Sequence, residues 1–225
     1  MSSDPGTWLK LKSGSDIRGD EEQLTDEFAE KLGYAFAVWL AKRRLTTPDM
    51  LKIAVGRDSR NSGPRLKAAL IRGLTAADCD VFDCSLCTTP AMFMTTIDEK
   101  TRADGAIMLT ASHQPPEKNG FKFMTELGGI TGDEVTELLK IASAAEVPVR
   151  LVTPIDFLEM YKKSLRELIR EKLEDDAPKP LLGLHVVVDA GNGAGGFYAK
   201  FLEDLGAWIE GSQFLEPDGS FPNHA

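Results

Sequence analysis

Cysteine is scarce in this sequence. It occurs three times in 225 residues, as Cys79, Cys84 and Cys87. So small and odd a number excludes a disulfide framework and points to a reducing compartment, with the cytoplasm the expected location. Cys84-x-x-Cys87 has the spacing of a redox pair or of half a zinc site. No nearby His or Cys supplies the other ligands that zinc needs, and small thiols buried at a strand end are the simpler reading. Basic charge is also short, with 26 Lys and Arg against 35 Asp and Glu and a net charge of −9. That balance argues against a broad nucleic-acid or anionic-membrane surface. It leaves room for a few cations that converge on a phosphate in one cleft. No apolar run approaches the roughly 20 residues of a membrane span. The first residues lack both a signal-peptide core and an Arg- and Ser-rich transit composition. There is no repeat of fixed period and no low-complexity tract.

What is present is ordinary globular composition, 42% hydrophobic and 27% charged, in a length that suits one large domain or two modest ones. From position 51 strand and helix patterns alternate. Residues 52–56 are short, apolar and β-branched. Gly63-Pro64 opens a helix to Leu74 with Leu66, Ala69 and Leu70 on one face. Val81-Phe82 marks a second strand, and Thr88-Thr89-Pro90 opens a helix with a threonine as cap and Pro90 in its first turn. Residues 105–109 form a third strand and 120–124 a short further one. Thr131 caps a helix over 132–142. A long helix over 25–44 precedes them all. The expected fold is α/β, an open mixed sheet sandwiched by helices over 1–150, followed by an incomplete second α/β unit over 151–225. That second unit begins near Val152 with a helix over 154–173 and continues with a strand over 185–189. A glycine-rich turn, a helix to Leu205 and a strand at Trp208-Ile209 follow, with no closing element after them. In such sheets ligands lie beyond the carboxyl ends of the strands, where Arg57-Asp58 and residues 110–113 fall.

The segment Thr110-Ala111-Ser112-His113-Gln114-Pro115-Pro116 ends a buried strand on hydroxyls and then stiffens. Adjacent Ser and His side chains diverge in an extended loop and rarely form a catalytic dyad, and no G-x-S-x-G elbow is present. A serine that carries a phosphoryl group is the alternative. Such a group brings about −1.5 to −2 charges and needs cations close by. Lys122 is near in sequence, and an Asn119-Gly120 turn would fold it back toward Ser112. Arg18, in a glycine-bracketed loop over 12–19, and Arg57, after the first sheet strand, are further cations in reach.

Together these segments resemble the α-D-phosphohexomutase superfamily, the phosphoglucomutases, phosphomannomutases and their relatives. The T-A-S-H-x-P and N-G-x-K pieces of its phosphoserine loop stand at 110–115 and 119–122. The x-R-G loop stands at 14–19, G-R-D-x-R at 56–60 and T-P at 89–90. V-D-x-x-N-G-x-G stands at 188–195 and P-D-G-x-F-P at 217–222. The resemblance implies that Ser112 is phosphorylated in the resting enzyme. It would exchange its phosphoryl with a hexose phosphate through a hexose 1,6-bisphosphate, giving an isomerase. Mg²⁺ would sit on an oxygen of that phosphoserine. Ser112, His113, Lys122 and Arg18 would be catalytic, and Ser15, Arg18, Arg57, Asn119 and Lys122 would bind phosphate.

Two departures stand out. Gln114 replaces the family's usual Asn, moving the amide by one bond, about 1.5 Å. The family's D-G-D-x-D-R metal loop, its G-E-x-S-G sugar-discriminating segment and its last phosphate loop are absent from these 225 residues. The resemblance therefore implies an N-terminal part of a mutase, inactive by itself, with the choice of hexose unreadable and no signal for oligomeric state. Two other readings compete. Gly191-Asn192-Gly193-Ala194-Gly195-Gly196, with Glu210 further on, matches G-x-G-x-x-G and suggests a nicotinamide-dependent dehydrogenase. A non-catalytic sugar-phosphate-binding paralogue is the third.

Overall fold

The computed structural model describes residues 5–148 and 155–223. The expected boundary at 150/151, the second-unit start near Val152 and the helix start at Pro154 lie outside the described residues.

The chain opens with a short helix α1 (Pro5–Leu9) and a hairpin of β1 (Lys12–Ser13) and β2 (Asp16–Asp20). This hairpin lies where the sequence predicts only a loop. Gly14, at φ +64°, and Ser15 form its two-residue turn, a position where a leading glycine supplies the positive φ that matches strand twist. The long helix α2 (Asp26–Arg44) follows, capped by Thr25, whose hydroxyl accepts from the Phe28 amide at 3.1 Å. Then come β3 (Lys52–Arg57), α3 (Gly63–Ala76), β4 (Asp80–Leu86), α4 (Thr89–Met94) and β5 (Gly105–Leu109). The first unit ends with β6 (Lys118–Thr125), β7 (Gly128–Gly129) and α5 (Gly132–Ala144). Thr131 and Glu134 close a reciprocal capping box on α5.

The seven strands make one mixed sheet in the order β1-β2-β6-β5-β3-β4, with β7 extending along β6. Strands β4, β3 and β5 are parallel, whereas β6 is antiparallel to both of its neighbours, β5 and β2. Side chains alternate between two helical layers, as a pleated strand requires. Ile53, Val55, Ile107, Leu109, Phe121 and Phe123 enter the core shared with α2, α3 and α5. Ala54, Ala106, Met108 and Met124 face the opposite layer, with α4 and with α6 (Phe157–Leu173). Each fully buried Phe contributes about 1.5–3 kcal/mol. The layered α/β expectation therefore holds. One correction applies inside it: no turn occurs at Asn119-Gly120, because both lie within the continuous strand β6. Gly120 is pressed between β2 and the Thr110 backbone, where a Cβ would meet the Ile17 carbonyl oxygen at 2.3 Å.

Beyond α6 a small core of Leu181, Phe201, Leu205 and Ala207 organises the rest around α7 (Phe197–Asp204). The strands expected at 185–189 and 208–209 reduce to two isolated parallel bridges, His185 to Trp208 and Asp189 to Gln213. Gly211, at φ +90°, breaks the run between the bridges. Trp208 is left 60% exposed.

Candidate active site

Strands β3 and β5 end side by side, with Arg57 opposite Leu109. The chain leaving each strand therefore turns into the same space, and the Asp58 amide donates back to the Leu109 carbonyl at 3.0 Å. There Asp58 Oδ2 accepts from Thr110 Oγ1 at 2.7 Å, and Thr110 Oγ1 accepts in turn from the Ser112 amide at 2.9 Å. This relay fixes the residue before the turn. Ser112 itself sits exposed in the left-handed region at φ +59°, a conformation that costs a non-glycine residue energy and is common where structure serves a site.

Arg60 holds the rest of the loop. It is 1% exposed, and all five of its N–H donors are used. Nη1 donates to the carbonyls of Pro115 and Lys118 at 2.6 and 2.8 Å. Nη2 donates to those of Ser112 and Gln114, both at 2.8 Å, and Nε to Asp58 Oδ2 at 3.1 Å. Four loop carbonyls thus converge on one fork, a geometry that only guanidinium can fill. Burial lowers the Arg60 pKa below its ordinary value, and the adjacent Asp58 carboxylate opposes that shift.

On the neighbouring strands Asp16 gathers two cations. Its Oδ2 accepts from Arg18 Nη2 at 3.0 Å and from Lys122 Nζ at 2.5 Å. Asp16 is registered opposite Lys122 across β2 and β6, and Arg18 lies two residues on, so all three share a face. Arg18 Nη1 also donates to the Ala111 carbonyl at 3.2 Å.

A cleft of about 740 Å³ opens over this loop. Ser112, His113, Asp58 and Arg60 line one side, and Asp189, Gly191 and Phe221 of the later segment line the other. The expected site residues are therefore distributed unevenly. Ser112 and His113 meet in the cleft. Arg18 reaches the loop backbone and Lys122 joins it through Asp16. Asn119 is fully buried, with its amide donating to Ser62 Oγ at 2.9 Å and its side-chain oxygen accepting from the Gly120 amide. Arg57 bonds the Asp58 carbonyl at 2.9 Å, and Ser15 stands exposed at the hairpin tip. Neither of these last two is among the residues lining the cleft. Gln114 also departs from expectation. Its main-chain oxygen is held by Arg60, whereas its side-chain Oε1 is buried without a partner.

Asp16 and Arg60 hold roles that the motifs alone do not assign, and Asp58 and Thr110, which lie in the candidate segments at the strand ends, take their roles only from the fold. Their signal is local and periodic. Asp16 stands two positions before Arg18, on the same face of a strand, and Asp58 two positions before Arg60, just past a strand end.

The three cysteines are buried and free. Burial pushes Cys79 and Cys87 up to about 12 and raises Cys84 as well. Neutral thiols of that kind are poor nucleophiles and poor ligands. Among the described residues no three or more His, Cys, Asp or Glu gather as a metal would require. Asp58 is engaged by Arg60 and Thr110, and Asp189 by the Gly191 amide and Gln213, so the carboxylates at the cleft do not form a Mg²⁺ site. Among the described residues no helix is long and apolar enough to cross a membrane.

Residues 10–147 match the family model described as phosphoglucomutase/phosphomannomutase, alpha/beta/alpha domain I. The chain is 37% identical over 217 residues to a phosphoglucomutase of Neisseria meningitidis, covering 93% of this chain and 43% of that protein. It is 35% identical over 218 residues to a phosphoglucomutase/phosphomannomutase of Thermococcus kodakarensis, covering 95% and 46%. Its fold superimposes on the crystal structure of a phosphoglucomutase/phosphomannomutase family protein from Burkholderia thailandensis. The TM-score is 0.76 at 31% identity, over 96% of this chain and 46% of that one. The chain thus spans less than half the length of these relatives.

Proposed function

The chain belongs to the phosphoglucomutase/phosphomannomutase family, and we propose that it supplies the phosphoryl-carrying part of a hexose-phosphate mutase, with Ser112 as carrier. One observation supports this above the others. Ser112 is exposed in the cleft on a loop whose four carbonyls are fixed by a buried arginine. Phosphoryl transfer asks a protein for positioning and charge neutralisation more than for covalent machinery. The Arg60 fork and the Asp58–Thr110 relay serve positioning. Arg18 and Lys122, held together by Asp16, serve neutralisation. His113 lines the cleft beside the serine, suited to carry a proton or donate to a phosphate oxygen.

In the proposed cycle a phosphorylated Ser112 gives its phosphoryl to a hexose monophosphate. The resulting bisphosphate reorients and returns its other phosphoryl to the serine. Mg²⁺, where it is bound, would neutralise charge on the phosphoryl oxygens, and from the described residues it would find only such an oxygen on Ser112. Net interconversion would then depend on parts that the relatives have beyond the length matched here. The relatives' names cover both glucose and mannose phosphates, so the proposal stops at hexose phosphate.

A chimera tests this reading. The aligned segment of the Neisseria protein is replaced by this chain, and interconversion of glucose 1-phosphate and glucose 6-phosphate is assayed. Activity that Ser112→Ala abolishes supports the proposal. A chimera with a cooperative melting transition and no activity contradicts it.

The nicotinamide reading fares poorly against the same geometry. Asn192, at the centre of the glycine-rich turn, is 8% exposed. Its amide is committed to the Glu216 carbonyl and to Asn223. Gly196, where α7 begins, is packed so tightly that a Cβ would meet the Leu215 carbonyl oxygen at 1.7 Å. The Leu215 backbone thus crowds the start of that helix.

A further inference from the structure

The later segment does more than wall the cleft. The Phe221 ring lies over the Arg60 guanidinium, 5.1 Å from Cζ to ring centroid. Arg60 has no N–H to spare, so the ring meets the one surface of this cation left to cover, its flat face. Phe221 reaches that position at φ +48°, an uncommon conformation for an aromatic residue, with its amide donating to the Asp218 carbonyl at 3.0 Å. Its neighbours are docked just as closely. A Cβ on Gly219 would sit 2.8 Å from both the Ser59 carbonyl oxygen and the Asn61 amide nitrogen, so only glycine fits there. Ser59 Oγ donates to the Asn192 carbonyl at 3.0 Å, the Asp218 amide donates to that same oxygen at 2.8 Å, and Asn192 Nδ2 donates to the Glu216 carbonyl at 2.9 Å. Residues 216–221 are thereby tied to the turn after β3, directly behind the arginine that carries the Ser112 loop.

We infer that Phe221 is a positioning residue, through which the docked segment 216–221 keeps Arg60 desolvated and so sets the order of the Ser112 loop. The chain of contact is short. Phe221 covers Arg60, and Arg60 holds the carbonyls of Ser112, Gln114, Pro115 and Lys118. Water admitted to the face of the guanidinium competes with those four carbonyls and loosens the loop, while the sheet beneath keeps its own ladder. Loop order does not require Ser112 to be phosphorylated. Its consequence for transfer rests on the function proposed above.

Amide hydrogen exchange on the 225-residue chain tests this without any substrate. In Phe221→Leu, exchange over 112–118 is expected to rise about three- to tenfold, the ratio that corresponds to losing one cation–π contact, with β3 and β5 unchanged. Phe221→Tyr keeps the ring face and is expected to restore protection. Gly219→Ala, which lifts the same segment by steric force, is expected to reproduce the Leu result. Unchanged exchange over 112–118 in both Phe221→Leu and Gly219→Ala overturns the inference. A rise shared equally by β3 and β5, or no rescue by Tyr, overturns it too, because either outcome marks a merely structural role.

Discussion

Arg60 Nη2 donates to the carbonyl oxygen of Ser112 at 2.8 Å, from a guanidinium almost wholly withdrawn from solvent. A buried cation is tolerated when every donor is matched, and here the matching partners are the loop that presents the serine. Arg60→Lys keeps the charge but offers three donors in place of a planar fork of five. The expected outcome is a loss of about 2–4 kcal/mol, read from urea midpoints, as loop carbonyls lose their partners. A loss below about 0.5 kcal/mol would show that the fork is not needed.

Thr110→Val is nearly isosteric but removes the hydroxyl between Asp58 and the Ser112 amide. The Ser112 amide then has no side-chain acceptor and Asp58 loses a donor. Stability is expected to fall by about 1–3 kcal/mol. Exchange of the Ser112 amide should quicken selectively, and Thr110→Ser, which retains the hydroxyl, should preserve its protection.

Asp16 binds Arg18 and Lys122 together, and its removal has two effects of opposite sign. Asp16→Asn leaves the site one charge more positive, which strengthens attraction for a phosphate anion. It also frees two long side chains from a fixed geometry. Labelling of Ser112 by a hexose 1,6-bisphosphate should saturate at lower concentration and proceed about tenfold more slowly. The concentration dependence of the labelling rate separates the two effects.

The buried thiols give a pH dependence with a definite sign. Their ordinary value is 9.0, and burial raises Cys79 and Cys87 to about 12 in the folded chain, with Cys84 also raised. Below pH 9 both folded and unfolded thiols keep their protons, and this contribution to stability is fully present. Between about pH 9 and 12 only the unfolded chain releases them, so stability falls by about 1.4 kcal/mol per pH unit for each thiol. Urea midpoints at pH 8, 9 and 10 measure the slope, and Cys84→Ala should reduce it. An identical slope in that variant would mean that Cys84 does not take part.

Much of the architecture was legible in the residues, because it rests on local rules. A threonine cap at 88–89, the Thr131 cap and the fully apolar strand at 105–109 follow from spacing and composition alone. The hairpin of β1 and β2 leaves little mark in sequence because its strands are very short and polar, and they become strands through pairing with each other and of β2 with β6. At the site, Ser112 and His113 were readable from the motif that carries them. Arg60 was not, because its role depends on four backbone carbonyls brought within reach by the fold, and carbonyls leave no mark in sequence. Asn119 looked available for a ligand for the same reason. Its burial against Ser62 is a tertiary fact, set where α3 begins beside β6.

The most direct test of Ser112 as the phosphoryl carrier is mass spectrometry, after incubation with glucose 1,6-bisphosphate and Mg²⁺, of the chimera in which this chain replaces the aligned segment of the Neisseria protein. The expected result is one added phosphoryl on the tryptic peptide spanning 103–118, assigned to Ser112 and absent from Ser112→Ala. Peptide 103–118 recovered without phosphate, or a phosphoryl elsewhere that survives Ser112→Ala, would contradict the assignment of Ser112 as carrier.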